Sequence, residues 1–239
     1  MTITSPTAFL DVGFDISHNN GQIDFAKLWV AGRRAVWLKA TEGTTFTDPM
    51  FRTYLQQIVD SGQAWKVAAY HFAHGEDPVG QVDFFLGAVG DAMAVMNNPP
   101  SVLYMLDCER GNNPPDPGTV FALVDEMTNM GIPNPMNYGG YDFFPVGAAV
   151  MEPCSCMLAE YGTHPISPLP WRRPDAIFGW DWWQYTGDGL GPWAKDLAGG
   201  SHNMDLSCFN TAKHPEGLDA WWAAELAKSH PLTTEGQQT

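Results

Sequence analysis

Four short apolar segments in the first half of the chain are each followed by a segment with helical periodicity. The clearest of them, residues 101–109 (SVLYMLDCE), is apolar nearly throughout, as a strand buried on both faces should be. Strands that alternate with helices pair in parallel through crossover connections, so this order predicts consecutive βαβ units. The chain is therefore predicted to fold as an α/β protein around a largely parallel sheet.

The predicted elements follow that alternation as far as residue 131 and then change character. The first four strands are predicted at 9–17, 33–41, 65–73 and 101–109, and their helices at 23–32, 50–62, 79–93 and 119–131. Beyond them, four more strands are predicted at 136–143, 156–162, 177–186 and 203–210, with a closing helix at 218–229. Eight strands with helices mainly in the first half predict an irregular TIM-like β/α barrel. Residues 1–228 are expected to form a single catalytic domain, and the polar tail 229–239 is expected to be disordered.

The charge of the chain excludes several classes of partner. It has 12 basic and 27 acidic residues, for a net charge of −15. No basic patch can be assembled for a phosphate backbone, which excludes nucleic-acid binding, and the same balance disfavours an anionic membrane. The 10 Trp and 7 Tyr residues suit a carbohydrate groove, although a large barrel can also use Trp as core filler. Oligomeric state is not indicated by the sequence.

The cysteines and the N-terminal segment predict where the protein is made. Cys154 and Cys156 are too close for an easy mutual disulfide, and with Cys108 and Cys208 they show no paired zinc spacing. All four are expected to be free and mostly buried thiols. The first 15 residues contain no signal peptide, so we expect synthesis in a cytoplasm without a secretion signal.

Acidic residues close several of the predicted strands. In barrels, the carboxyl ends of the strands gather at one face, and active sites lie there. We therefore expect one acidic cluster at that face, formed by Asp15, Glu42, Asp107, Glu109 and Asp205.

The Asp107-Cys108-Glu109 triplet is the most informative part of this cluster. Side chains alternate along a strand, so Asp107 and Glu109 should point the same way and Cys108 into the barrel wall. Two carboxylates so close repel each other as anions, and one should hold a proton near neutral pH. Glycosidic bond cleavage needs such an acid together with an anion. Solvated strand-end acids or a divalent-ion site remain alternatives.

Seven sequence pieces in a fixed order add a family resemblance. They are GFDISHNNGQIDF, WLKATEG, AYHFA, LDCE, AEY, WWQYT and NMDLSCF, and they extend from Gly13 to Phe209. Together they resemble the family 25 glycoside hydrolases, the muramidases of phage endolysins and bacterial autolysins. The resemblance implies a β/α barrel that hydrolyses the β-1,4 bond between N-acetylmuramic acid and N-acetylglucosamine in peptidoglycan, without a cofactor.

The resemblance also implies roles for individual residues. Glu109 matches the general acid, and Asp107 matches the carboxylate that assists the substrate N-acetyl group. Asp15 and Asp205 match the acidic residues of the first strand and of the late D-x-x-x-F pattern. The residues matching groove-lining positions are Tyr70, Tyr138, Tyr161, Trp182, Trp183 and Gln184. Of Trp182 and Trp183, strand alternation lets only one meet sugar.

Two other functions compete with this interpretation. One is a catalytically silent wall-binding or virion structural protein with the same barrel. The other is a divalent-metal hydrolase with Asp15, Glu42, Asp107 and Glu109 as oxygen ligands. The wall substrate and the missing signal peptide favour a phage endolysin released through a holin, or a virion-associated domain.

Three basic residues near the acids, Lys39, His71 and His74, are expected to have structural roles. Lys39 and Glu42 are expected to form a salt bridge inside the barrel. His71 and His74 should lie on opposite faces of their strand, which argues against zinc binding by the pair and favours a hydrogen-bonded wall histidine. Asp24 is expected to cap the first helix.

Overall fold

The computed structural model describes residues 9–140, 154–161, 179–187, 199–200 and 204–229. Its strands are β1 Phe9–Ile16, β2 Ala35–Glu42, β3 Phe46–Thr47, β4 Lys66–Phe72, β5 Val102–Asp107, β6 Met136–Gly140, β7 Cys156–Ala159, β8 Trp182–Gln184 and β9 Asp205–Asn210. Its α-helices are α1 Phe25–Val30, α2 Phe51–Asp60, α3 Pro78–Ala94, α4 Pro117–Asn129 and α5 Leu218–Ser229. The predicted tail beyond Ser229 lies outside the described residues.

Eight of these strands close into a barrel, which confirms the predicted fold. The order around the barrel is β1-β2-β4-β5-β6-β7-β8-β9, and β9 returns to β1. The barrel strands β1, β2 and β4 to β8 pair in parallel, whereas β9 runs antiparallel to both of its neighbours. The short β3 folds back on the end of β2 as a hairpin. This hairpin and the 3-10 turn at His18–Asn20 were not predicted.

Tryptophans fill the interior of the barrel at its amino end. The rings of Trp37 and Trp182 meet edge to face with centroids 4.6 Å apart, and helix α5 adds Trp221 and Trp222 against them. Lys66, the first residue of β4, is paired with Asp219 of this helix. Helix α5 therefore closes the amino end of the barrel and leaves the carboxyl end as the open mouth.

The other helices cover the outside of the barrel. Alternate strand residues such as Phe14 and Leu38 point outward and pack under helix residues such as Leu55 and Phe85. Asp24 caps α1 as predicted, accepting a hydrogen bond from the Lys27 amide at 3.0 Å. Helix α4 starts two residues before the predicted Thr119, because Asp116 caps it and Pro117 occupies its first turn.

The structure tests the predicted state of the cysteines and shows whether any helix could span a membrane. All four cysteines are free; Cys108, Cys156 and Cys208 are buried and Cys154 is partly buried, as expected. Within the described ranges, no helix combines the length and the apolar character needed to cross a membrane.

Gly13 provides a test of the packed interior. A Cβ atom at this position would lie 2.8 Å from Trp182 Cζ3, 3.0 Å from Trp37 Cζ3 and 3.1 Å from the Ser207 carbonyl oxygen. Because the rings are held on all sides, we expect Gly13→Ala to lower the free energy of unfolding by about 1–3 kcal/mol. Urea unfolding monitored by circular dichroism measures this change.

The matched control is Gly87→Ala on the exposed side of α3, where an added Cβ meets no atom within 4 Å. This change should stabilise the protein by about 0.5–1 kcal/mol through helix propensity. A Gly13→Ala protein as stable as the Gly87→Ala protein would contradict the described packing.

Candidate active site

The predicted acidic residues meet at the open mouth of the barrel. Asp107 is the last residue of β5, and Asp15 is next to last in β1. Because β9 runs antiparallel, its first residue, Asp205, lies at the same end and is the register partner of Asp15. The barrel thus brings together carboxylates that are far apart in the sequence, as predicted. The predicted position of Asp205 at the end of its strand is wrong: Asp205 begins β9 and reaches the mouth only because this strand is antiparallel.

Strand alternation continues past the end of β5. Asp107 is 6% exposed and faces the barrel interior, whereas Cys108 belongs to the buried outer layer. The Cys108 amide donates to the Tyr138 carbonyl at 2.8 Å, which keeps the backbone in line with β6. Glu109 therefore returns to the side of Asp107, where it is partly buried. This confirms the predicted arrangement of the triplet.

Burial and neighbouring charge change the proton affinity of Asp15. Burial raises the pKa of Asp15 to about 7, and the negative charge of Glu109 adds to this effect. A hydrogen bond acts in the opposite direction, since Gln184 Nε2 donates to Asp15 Oδ2 at 2.7 Å. Asp15 therefore changes protonation state in the neutral range.

Asp107 is affected in the same direction. Burial raises its pKa well above the ordinary value, and the charges of Glu109 and Asp15 raise it further. Lys39 opposes them by stabilising the Asp107 anion. Asp107 Oδ1 has no hydrogen-bond partner among the described residues. This oxygen is therefore available for a hydrogen bond with a ligand. The cluster cannot hold all of its negative charges at neutral pH.

Gln184 connects Asp15 to two tyrosines. The Tyr138 hydroxyl donates to Gln184 Oε1 at 2.6 Å, and the Tyr161 hydroxyl lies 3.1 Å from the same oxygen and 2.9 Å from the Tyr138 hydroxyl. Gln184 is only 2% exposed, and both ends of its amide are engaged. The sequence resemblance implied a groove-lining role for Gln184, but its contacts are those of a residue that orients Asp15.

A cavity of about 480 Å³ opens beside Asp15 and Asp205. Tyr70 lines it, and the loop after β1 contributes Ser17 and Asn19. Tyr70 is partly buried, and desolvation and the surrounding aspartates raise the pKa of its hydroxyl well above the ordinary value, so it stays a neutral hydrogen-bonding group. Its position at the cavity agrees with the role implied by the resemblance.

The two predicted groove tryptophans do not reach this cavity. Trp182 is fully buried among the interior rings, and Trp183 is fully buried in the outer layer, where its Nε1 donates to the Glu160 carbonyl at 3.0 Å. The predicted alternation of the two rings is correct. The assignment of Trp182 and Trp183 to substrate binding is wrong, because helix α5 fills the barrel beneath the mouth and the outer layer encloses the other ring.

The basic groups near the mouth take the predicted structural roles. Lys39 Nζ lies 2.6 Å from Glu42 Oε2, and His74 Nε2 lies 3.3 Å from Glu42 Oε1. His71 is buried between Thr41 and Gln81, with ring nitrogens 2.8 Å and 3.1 Å from their side-chain oxygens, and burial lowers its pKa to about 4. In the part of the chain that is described, no three His, Cys, Asp or Glu side chains are arranged to hold a metal ion.

Asp48 is a structural acid of the mouth that sequence reasoning missed. It is buried, and its Oδ2 accepts a hydrogen bond from the His18 amide at 2.9 Å and lies 2.8 Å from His18 Nδ1. Its Oδ1 accepts from the Met50 amide at 2.8 Å. Asp48 thereby joins the loop after β1 to the β2–β3 hairpin. An Asp-Pro step after a short strand gave no signal for this long-range contact.

The fold and site define a β/α-barrel protein with an acidic cleft at the carboxyl ends of its strands. The family model for glycosyl hydrolases family 25 matches residues 14–192. The chain belongs to glycosyl hydrolase family 25.

Individual relatives agree with this family. An N,O-diacetylmuramidase from Chalaropsis is 37% identical over 110 residues, which are 43% of this chain and 49% of the relative; the chain thus spans about half the length of this curated relative. A muramidase structure from Trichobolus zukalii is 26% identical with a TM-score of 0.64, covering 90% of this chain and 98% of that one. The catalytic domain of an endolysin from bacteriophage P40 of Listeria monocytogenes shares the fold at 16% identity and a TM-score of 0.66, covering 87% and 97%.

The raised pKa of Asp15 predicts a pH-dependent stability. The folded protein binds a proton at Asp15 up to about pH 7, whereas the unfolded chain releases it near 3.8. Between these values the folded state holds more protons, so stability falls as the pH rises through this window. Asp15→Asn removes the charge, and we expect it to stabilise the protein at pH 8 by about 1–2 kcal/mol, an amount reduced by partial solvent access.

At pH 4 the same variant should show no gain, because Asp15 is protonated in the folded wild type. Melting curves at both pH values, with the exposed Asp83→Asn on α3 as control, measure the difference. A gain of equal size at both pH values would show that Asp15 is ionised throughout.

Proposed function

We propose that the protein is an N-acetylmuramidase, a lysozyme that hydrolyses the β-1,4 bond between N-acetylmuramic acid and N-acetylglucosamine in peptidoglycan. The observation that carries this proposal is the group of mutually repelling carboxylates, Asp15, Asp107 and Glu109, at the mouth of a family 25 barrel. The muramidase names of its relatives support the choice of bond.

In the proposed mechanism, Glu109 is the general acid. It transfers its proton to the glycosidic oxygen as the bond from that oxygen to C1 breaks. The carbonyl oxygen of the substrate N-acetyl group then bonds to C1 and forms an oxazolinium ion. Water attacks C1 in the second step, returns a proton to Glu109 and restores the N-acetyl group. The net reaction consumes one water molecule, and the anomeric configuration is retained.

Asp107 assists the N-acetyl group as an anion. Its pKa is raised by burial and by the charge of Glu109, while Lys39 favours its ionised form. When Glu109 holds the proton that it will donate, its charge is absent and Asp107 ionises more easily. The two carboxyl groups therefore share one proton in the arrangement that the reaction needs. Asp107 Oδ1, which has no partner within the described part of the chain, can accept a hydrogen bond from the N–H of the acetamido group.

Asp15 and Asp205 occupy the facing side of the mouth. Gln184 fixes the orientation of Asp15, and the cavity beside these two acids has room for a sugar ring. We propose that they stabilise the positive charge that develops at C1 and orient the attacking water. Tyr70 and Tyr161 contribute neutral hydroxyl groups to the same cleft.

We also propose that the protein acts at the bacterial cell wall. The described fold is shared with an endolysin catalytic domain, which is compatible with action on the wall from inside an infected cell. Release through a holin, or transport on a virion, remains a prediction from the sequence.

Digestion of purified peptidoglycan tests the proposed bond. After borohydride reduction of the new ends, mass spectrometry should find N-acetylmuramitol, because the cut leaves muramic acid at the reducing end. Reduced N-acetylglucosamine would instead identify a glucosaminidase, and anhydro-muramic ends a lytic transglycosylase. Either product would contradict the bond assignment, and a heat-denatured sample controls for reducing ends already present in the substrate.

A further inference from the structure

Two aromatic side chains are exposed at the mouth of the barrel. Eight large hydrophobic side chains are exposed in the described residues, and six of them lie on or directly after helices or at the amino end of β1. The other two are Phe46, 37% exposed in the β2–β3 hairpin, and Tyr161, 38% exposed two residues after β7. Among the described residues, these are the two exposed large hydrophobic side chains that follow the carboxyl ends of barrel strands.

The topology places the two rings on opposite sides of the mouth. Around the eight-stranded barrel, β7 is four strands from β2 in either direction, and β9 is likewise four strands from β5. The line from Phe46 to Tyr161 therefore crosses the line from Asp107 to Asp205 near the centre of the mouth. A linear chain lying along the aromatic line would pass between the two sets of carboxylates.

The ring of Phe46 is held in place from below. The hairpin pairs Phe46 with Glu42, the last residue of β2. The His18 ring lies beside Phe46 with centroids 5.5 Å apart, and Lys39 Nζ lies 5.7 Å from the Phe46 centroid. Buried Asp48 follows the hairpin directly: its side chain accepts from the His18 amide, and its own amide donates to the Ala40 carbonyl of β2 at 2.9 Å. A ring that is already ordered loses little conformational entropy when a ligand stacks on it.

We propose that Phe46, flanked by His18, is a sugar-stacking platform that binds a pyranose ring of the glycan strand on the β2 side of the cleavage point. This inference rests on the proposed function and deepens it, because it defines the path of the strand from the β2–β3 hairpin to Tyr161. The apolar face of a pyranose packs against an aromatic ring, and the acidic, amide-lined mouth supplies polar partners for its hydroxyl groups.

Steady-state kinetics on peptide-free glycan strands test the platform. Phe46→Ala should lower kcat/KM by roughly three- to tenfold, mainly through a higher KM, because it removes the stacked ring but no reacting group. Phe46→Trp keeps an aromatic surface and should restore most of the loss. Phe121→Ala is the matched control, since it removes a ring that is 45% exposed on α4, outside the mouth. Melting temperatures verify that each variant is folded.

The proposal is wrong if Phe46→Ala matches wild type and the Phe121→Ala control in KM. Failure of the proposed function appears differently, as a wild-type protein that releases no muramic acid ends. In that event, calorimetric titration of the same glycan strands into wild type and Phe46→Ala still decides the question. Weaker binding by Phe46→Ala alone supports the platform, and equal binding, or no binding by wild type, overturns it.

Discussion

The mutual repulsion of carboxylates confined to the barrel mouth is the constraint on which the rest of the site depends. Asp107 is buried and Asp15 is partly buried, each within the field of Glu109, and the positive charge of Lys39 offsets only part of the cost for Asp107. Protons therefore remain on the cluster at a pH where isolated carboxyl groups have lost them. An acid and an anion made of similar groups can then coexist, as glycosidic cleavage requires.

The surrounding fold holds these carboxylates close together despite their repulsion. The closed ladder of eight strands fixes the backbone beneath the acids, and helix α5 with the interior tryptophans seals the opposite end. Antiparallel β9 turns its first residue, Asp205, toward Asp15. Gln184, locked by Tyr138, orients the Asp15 carboxylate. The rigid barrel therefore holds the carboxylates together against their mutual repulsion, which a flexible loop could not do.

The sequence predicted what depends on local periodicity and strand ends. The barrel and the shared direction of Asp107 and Glu109 follow from alternation and from the meeting of parallel strand ends. Asp205 reaches Asp15 for another reason: it begins β9, whose antiparallel direction was not predicted. Long-range packing could not be read in this way. The positions of Trp182 and Trp183 depend on how α5 fills the barrel, the Gln184–Asp15 bond joins residues 169 positions apart, and the two-residue β3 is too short for a periodic signal.

Hydrolysis by Glu109→Gln tests the central claim that the proton held by this cluster cleaves the glycan. Gln has nearly the same shape but cannot donate to the leaving oxygen, so turnover of peptidoglycan should fall by about 10²- to 10⁴-fold while folding and wall binding persist. Glu126→Gln, on α4 away from the mouth, should cut at the wild-type rate. A folded, wall-binding Glu109→Gln protein that still cuts at a near wild-type rate would contradict the account.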